Sequence, residues 1–266
     1  ITLRRPEALN ALHDEMTDEI LAVIRRHEAD EAVRGFVVTG YGTKAFCAGG
    51  DIGRFPAMLG DADASAQYAR DCSRLLVHLD TMTKPVVAAL NGLALGGGLE
   101  LAIRCRAIVA LRGASLQFPE ITLGILPGIG AMVVPYRRWP RAAAVFDDML
   151  RRAERLDAVR AHELGIVAAL AGDPRELVER AVRQVRSLAG MPNDVAKGPI
   201  PAPPLAPVAP VGPGGMALSP MAIALMEDAI RGAAAASTLA SALEIGYRAF
   251  GASACTAAAR EGIGAF

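Results

Sequence analysis

Two glycine-rich segments and two glutamates carry the residue types from which this chain could build a reaction site. The segments are Phe46-Cys-Ala-Gly-Gly-Asp51 and Asn91-Gly-Leu-Ala-Leu-Gly-Gly-Gly-Leu-Glu100. A backbone without a Cβ can turn sharply and lie directly against a ligand. Two such turns at the ends of neighbouring strands can aim two N–H groups at one oxygen, the arrangement that stabilises an oxyanion. Gly96-Gly97-Gly98 is neither a P-loop nor a dinucleotide-binding glycine pattern, and taken alone it also fits close helix–strand packing. It opens a helix, however, and free N–H groups and the helix dipole favour negative charge there. Glu100 falls in that first turn.

The second carboxylate is Glu120, within Gln117-Phe-Pro-Glu-Ile-Thr-Leu-Gly-Ile-Leu-Pro-Gly128. Pro119 fixes the chain just before it, and Phe118, Ile121 and Leu123 are apolar neighbours. A carboxyl group so placed is expected to be partly desolvated, with its pKa raised towards acid–base use. The other reading is a helix-start glutamate near a positive dipole.

The elements that must position these residues are legible in outline. Each glycine turn follows a short apolar run that reads as a buried strand, Gly35–Gly40 and Pro85–Leu90. Ile1–Arg4 reads as a strand end, and Leu12, Met16, Ile20, Val23 and Ile24 recur at helical spacing. A helix is predicted over about 64–79, another over 99–104, and a strand over 107–111. Strand and helix alternating in this way predict an α/β domain with parallel pairing. Beyond Pro119 the pattern turns mostly helical, over about 142–152, 157–164, 174–188, 220–231 and 239–250. Seven prolines between Pro199 and Pro213 exclude a helix or central strand there. The division predicted is a core over 1–192, a Pro-rich linker or loop over 193–218 and a helical region over 219–266.

Composition narrows the function classes. Lys plus Arg and Asp plus Glu number 28 each, so no bulk charge draws the chain to nucleic acid or an anionic membrane. The four cysteines are far apart with no Cys-x-x-Cys pair, which suggests neither a disulfide framework nor a zinc site and fits a reducing cytoplasm. The four histidines show no ligand spacing, so no metal is expected. Pro85–Ile103 is charge-free except for Glu100, but a membrane span would bury that Glu with Asn91 and four glycines. It reads as strand, turn and helix.

Taken together, Phe46–Asp51, Asn91–Glu100 and Pro119-Glu120-x-x-x-Gly124-x-x-Pro127-Gly128 resemble the enoyl-CoA hydratase/isomerase (crotonase) superfamily. Pro6-Glu-Ala-Leu-Asn10 and Arg260-Glu-Gly262 look like family members at matching places. The resemblance implies a crotonase-like spiral of ββα repeats with a C-terminal helical region, assembled as a homotrimer or dimer of trimers. It assigns Gly50 and Gly97 to the oxyanion hole for a thioester carbonyl, and Ala48 to the adenine end of coenzyme A. Glu100 and Glu120 match the two hydratase glutamates, and Gly128 the residue whose N–H helps hold the water. Asp51, Ile52, Gly98 and Lys44 complete the expected substrate contacts, Lys44 towards the coenzyme's phosphates. The substrate would be an acyl-CoA thioester in fatty acid metabolism, with coenzyme A part of that substrate and no separate cofactor.

With both glutamates present the resemblance points to water addition. The alternatives on the same scaffold are a double-bond shift, for which Glu120 alone suffices, or hydrolysis. Ile129-Gly-Ala-Met-Val-Val134 departs from the usual hydratase continuation, which bears on the acyl pocket. Some family members also bind RNA, and Arg137, Arg138, Arg141, Arg151, Arg152, Arg155 and Arg160 form a locally basic stretch. Interspersed acids make a solvated helix face the favoured reading of that stretch. Cys47 reads as a small buried residue rather than a nucleophile. Met216, Met221 and Met226 read as helix packing rather than pocket lining, and His162 as helix surface.

Overall fold

The computed structural model describes residues 1–265, except for the side chains of Ile52 and Arg54. The chain divides into two compact units. The first comprises residues 1–51, 74–116 and 156–194, and the second residues 52–73, 117–155 and 195–266.

The first unit is built on strands β1 (Thr2–Leu3), β2 (Phe36–Gly40), β3 (Ala45–Cys47), β4 (Val86–Leu90), β5 (Leu93–Leu95), β6 (Ala107–Leu111), β7 (Ser115–Gln117), β8 (Leu156–Asp157) and β9 (Ala169–Ala171). Its five-stranded sheet has the order β1-β2-β4-β6-β9 and its four-stranded sheet the order β3-β5-β7-β8. Successive strand pairs β2–β3, β4–β5 and β6–β7 each give one strand to each sheet, which is how the ββα repeat winds as a spiral. All the pairings of the larger sheet are parallel, with Val38 opposite Ala88 and Ala88 opposite Ile108. Parallel sheets covered on both faces carry continuous apolar strands. β4 is the clearest case, all five of its residues being buried.

Helices α1 (Asp14–His27), α3 (Arg74–Thr81), α4 (Gly97–Arg104), α7 (Ala158–Glu163) and α8 (Pro174–Leu188) complete this unit. Leu177, Ala181 and Val185 of α8, one apolar face at helical spacing, pack on Val87, Ala89, Ala107 and Val109. Two asparagines knit the turns. Asn91 accepts from Gly40 N at 3.0 Å and donates to Gly42 O and Ala45 O. Asn10, 1 % exposed, donates to Tyr41 O and to Ala45 O.

The second unit contains α2 (Ala62–Cys72), α5 (Val134–Arg138), α6 (Ala143–Arg152), α9 (Pro220–Ala235), α10 (Leu239–Ser253) and α11 (Ala257–Gly264). Its core gathers Phe55, Ile125, Val133, Leu243, Tyr247, Phe250 and Ile263. The helix predicted over 64–79 is in fact two, α2 and α3, parted at Ser73. Ser73 N turns back to the carbonyls of Ala69 and Arg70, closing α2 at that residue.

The basic stretch also needs correction. Arg137 and Arg151 are buried, 4 % and 2 % exposed, rather than lying on a solvated face. Arg137 donates to the carbonyls of Ala196, Gly198 and Ala233, and Arg151 to Ala206 O and Glu227 Oε1. The physical reason lies in the prolines. A Pro-rich segment offers carbonyl acceptors but few N–H donors, and a guanidinium offers five donors and no acceptor. The chain over 196–206 is thereby fastened to the helices of the second unit, with Ile200 N on Ala234 O adding to the attachment.

Candidate active site

The two glycine turns meet because of strand pairing. β3 and β5 run parallel, with Ala45 opposite Leu93 and Cys47 opposite Ala94. The chain therefore leaves both strands at the same end. Ala48-Gly49-Gly50 follows β3, and Gly96 followed by α4 follows β5. A β-carbon placed on Gly97 would lie 3.2 Å from Gly50 N and 3.7 Å from the Gly49 carbonyl carbon. On Gly98 it would lie 2.6 Å from Cys47 Sγ, inside van der Waals contact, so only glycine lets α4 start flush against β3.

Both backbone donors at this junction are available. Gly97 is the first residue of α4, where helical N–H groups lack intrahelical acceptors. Gly50 is exposed, and a β-carbon on it would meet nothing within 4 Å. Among the described residues neither N–H meets a protein acceptor. The site thus holds two adjacent N–H groups at the positive end of a helix dipole.

Glu100 sits one turn into the same helix, 2 % exposed, with its N–H on Gly96 O at 2.9 Å. Every residue of α4 from Gly98 to Arg104 is buried. Its far end is anchored by the buried Arg104 guanidinium, which is paired with Asp80, Nε to Oδ1 at 3.0 Å. An anchored helix holds a glutamate and a donor in a constant relation.

Around this junction, Ala48 is half-buried and donates its N–H to Leu9 O at 3.1 Å. Asp51 pairs with Arg5 at 3.0 Å, and Lys44 is exposed at the turn before β3. The Ile52 side chain lies outside the described residues. Burial pushes the Cys47 thiol up to about 11, against smaller opposing effects of hydrogen bonds to the Gly49 and Leu12 backbone, so it stays a neutral thiol rather than a nucleophile. From the sequence, Arg5 and Asn10, which hold the first turn, take no role, and Leu12 falls in the first helix, whereas α1 begins at Asp14 and Leu12 pairs with Gly50. The resemblance of Pro6–Asn10 to the family is a signal for Asn10 alone.

Glu120 and Gly128 belong to the second unit. Glu120 opens the 3-10 helix Glu120–Leu123, half-buried, with its Oε2 shielded from solvent. Gly128 backs onto Phe250, whose ring would lie 3.0 Å from a β-carbon there. The unusual continuation after Gly128 is apolar and buried, Ala131, Met132, Val133 and Val134 all being 2 % exposed or less. Met226 is buried, whereas Met216 and Met221 are exposed, so only Met226 packs as a helix core residue. His162 is exposed on α7 with Nδ1 on Val167 O. Among the described residues no cluster of His, Cys, Asp and Glu could hold a metal, and no helix is long and apolar enough to cross a membrane.

Comparison with known proteins identifies the family. The family model for enoyl-CoA hydratase/isomerase matches residues 1–198. A probable enoyl-CoA hydratase of Rhizobium meliloti is 36 % identical over 189 residues, 71 % of this chain and 70 % of the relative. The mitochondrial enoyl-CoA hydratase of Pongo abelii is 38 % identical over 195 residues, covering 71 % and 62 %. Among solved structures, an enoyl-CoA hydratase from Polaromonas sp. JS666 superimposes with a TM-score of 0.64 at 29 % identity, over 94 % of this chain and 85 % of that one.

Proposed function

The chain belongs to the enoyl-CoA hydratase/isomerase family, and from that premise we propose that it adds water across the 2,3 double bond of a trans-2-enoyl-CoA thioester. One observation carries this reading: Gly50 N lies against Gly97 at the start of the helix that carries the buried Glu100.

The chemistry follows from where charge develops. Two N–H bonds to the thioester oxygen draw electrons from the conjugated double bond and leave Cβ open to attack. As water adds at Cβ, the electron pair moves to the carbonyl oxygen and forms an enolate, which Gly50 and Gly97 stabilise. Each such donor is worth about 10²–10³-fold in rate. Glu100 takes the proton of the attacking water, and Glu120 delivers a proton to Cα. General acid–base help of this kind contributes roughly 10²–10⁴-fold. Ala48, Asp51, Ile52, Gly98, Gly128 and Lys44 are the proposed substrate contacts.

Conversion of crotonyl-CoA to 3-hydroxybutyryl-CoA tests the reaction directly, followed as loss of the enoyl-thioester absorbance and identified by the mass gain of one water on the intact thioester. A double-bond shift leaves the mass unchanged, and thioester hydrolysis releases free coenzyme A. Glu100→Gln should lower hydration by about 10²–10⁴-fold with an unchanged far-ultraviolet circular dichroism spectrum. Near-normal turnover in that variant would overturn the assignment of Glu100. We further propose a homotrimer or dimer of trimers, to be checked by light scattering on the purified protein. All four cysteines are free, which supports a cytoplasmic location.

A further inference from the structure

The direction of the Gly50 N–H is set from outside its own loop. Gly49 O accepts from Leu12 N at 2.9 Å, and Asp51 N donates to Leu12 O at 2.6 Å. In a planar trans peptide the C=O and the N–H point opposite ways. Once Gly49 C=O is tied to Leu12, the Gly50 N–H must face away from Leu12. Gly49 reaches this arrangement at φ +120°, a conformation open to glycine.

Leu12 in turn belongs to a segment with no regular structure of its own. Leu9 and Asn10 are both left-handed, at φ 49° and 61°. Residues other than glycine stay there only when their surroundings hold them. The Asn10 side chain supplies part of that hold, accepting from Arg5 N and donating to Ala45 O.

Arg5 supplies the rest. Its Nη1 donates to Ala11 O at 3.1 Å and its Nη2 to Asp51 Oδ2 at 3.0 Å, while Nε stands 3.8 Å from Glu7 Oε1. One planar guanidinium thus grips the residue before Leu12 and the residue after Gly50, on the two sides of the Leu12–Gly50 pairing. Charge adds a second effect. Asp51 directly follows the donor residue, and a negative carboxylate there opposes negative charge on the substrate oxygen. The Arg5 guanidinium, paired with it at 3.0 Å, offsets that charge.

We propose that Arg5 is a positioning residue for the reaction, holding the Gly50 N–H on the thioester oxygen through Leu12 and Asp51 without touching substrate. The inference rests on the assignment of Gly50 and Gly97 as the oxyanion donors. Its test is the carbonyl stretch of butyryl-CoA labelled with ¹³C at the thioester carbon, bound to the intact enzyme, together with steady-state hydration of crotonyl-CoA. In the unmodified protein the stretch should fall on binding as the carbonyl is polarised. In Arg5→Met that shift should shrink and kcat should drop about 10- to 100-fold, part of one donor's worth, with KM within about 3-fold. Arg5→Lys, which keeps the charge and loses the fork, should recover part of both, and serves as the test variant if Arg5→Met does not fold. A full carbonyl shift and normal kcat in both variants would overturn the role of Arg5 and leave the oxyanion assignment standing. No shift in the unmodified protein would overturn that assignment, and the inference with it.

Discussion

The two glycine turns proposed as oxyanion donors present their N–H groups by different physical means. The Gly97 donor is local: it opens α4, whose own geometry leaves the N–H free and whose residues are buried down to Arg104. The Gly50 donor is assembled over long range, aimed by Leu12 and held by Arg5, 46 residues from Asp51 in sequence. The local turn is crowded and the assembled one is open. A β-carbon on Gly97 or Gly98 meets its neighbours closely, whereas one on Gly50 meets nothing within 4 Å. An N–H set by a helix tolerates little change at its own position, and one set by distant partners tolerates change there but not at those partners.

The largest expected effect lies on the crowded side. Gly97→Val would place a branched side chain 3.2 Å from Gly50 N and obstruct both donors. Hydration should fall by at least about 10²–10³-fold, the worth of one donor, while the protein remains folded. Turnover within a factor of ten of the unmodified enzyme would break the contrast.

Gly98→Ala should act on stability instead. Its methyl group would press on Cys47 in a fully packed region. Overpacking of this kind costs roughly 1–3 kcal/mol, to be read from urea unfolding.

Cys47 itself offers a pH test of how dry that region is. Its folded-state pKa, about 11, lies above the ordinary value of 9.0, so the fold favours the neutral thiol. This contribution to stability is complete below pH 9 and is lost as pH rises towards 11. Alkylation by iodoacetamide should reach the partly exposed Cys72 and Cys255 first, and Cys47 only as pH approaches 11. Rapid labelling of Cys47 at neutral pH would show that the junction is open to solvent.

Gly50→Ala is expected to do least. The residue is exposed, its φ is not among the left-handed ones, and its added methyl group meets open space. Turnover of crotonyl-CoA should stay within about 3-fold, far less than the loss of a donor would cause.

Legibility followed how local the cause was. β4 could be read because a strand buried on both faces needs an unbroken apolar run, and Val86–Leu90 is one. The glycine turns could be read because few other residues allow a backbone to approach so closely. The break at Ser73 could not be read, since the apolar spacing of 64–79 continues through it and the change is confined to one backbone N–H, shared between the Ala69 and Arg70 carbonyls. Arg137 and Arg151 looked like surface charge for a related reason. Their acceptors, carbonyls of residues 196–206 with Ala233 O and the Glu227 carboxylate, are remote in sequence, and nothing in a local charge pattern announces them.

By itself, then, the sequence determined an α/β chain with parallel pairing, two glycine turns that let backbone approach a ligand and a glutamate behind one of them, and its family resemblance implied the spiral of ββα repeats. Tertiary structure decided where the donors point. The Gly50 N–H takes its direction from a peptide tied to Leu12, and Leu12 from an arginine that also holds Asp51. Residue types record what a backbone can do locally. The orientation of a single peptide plane depends on hydrogen bonds made by chain that arrives from elsewhere.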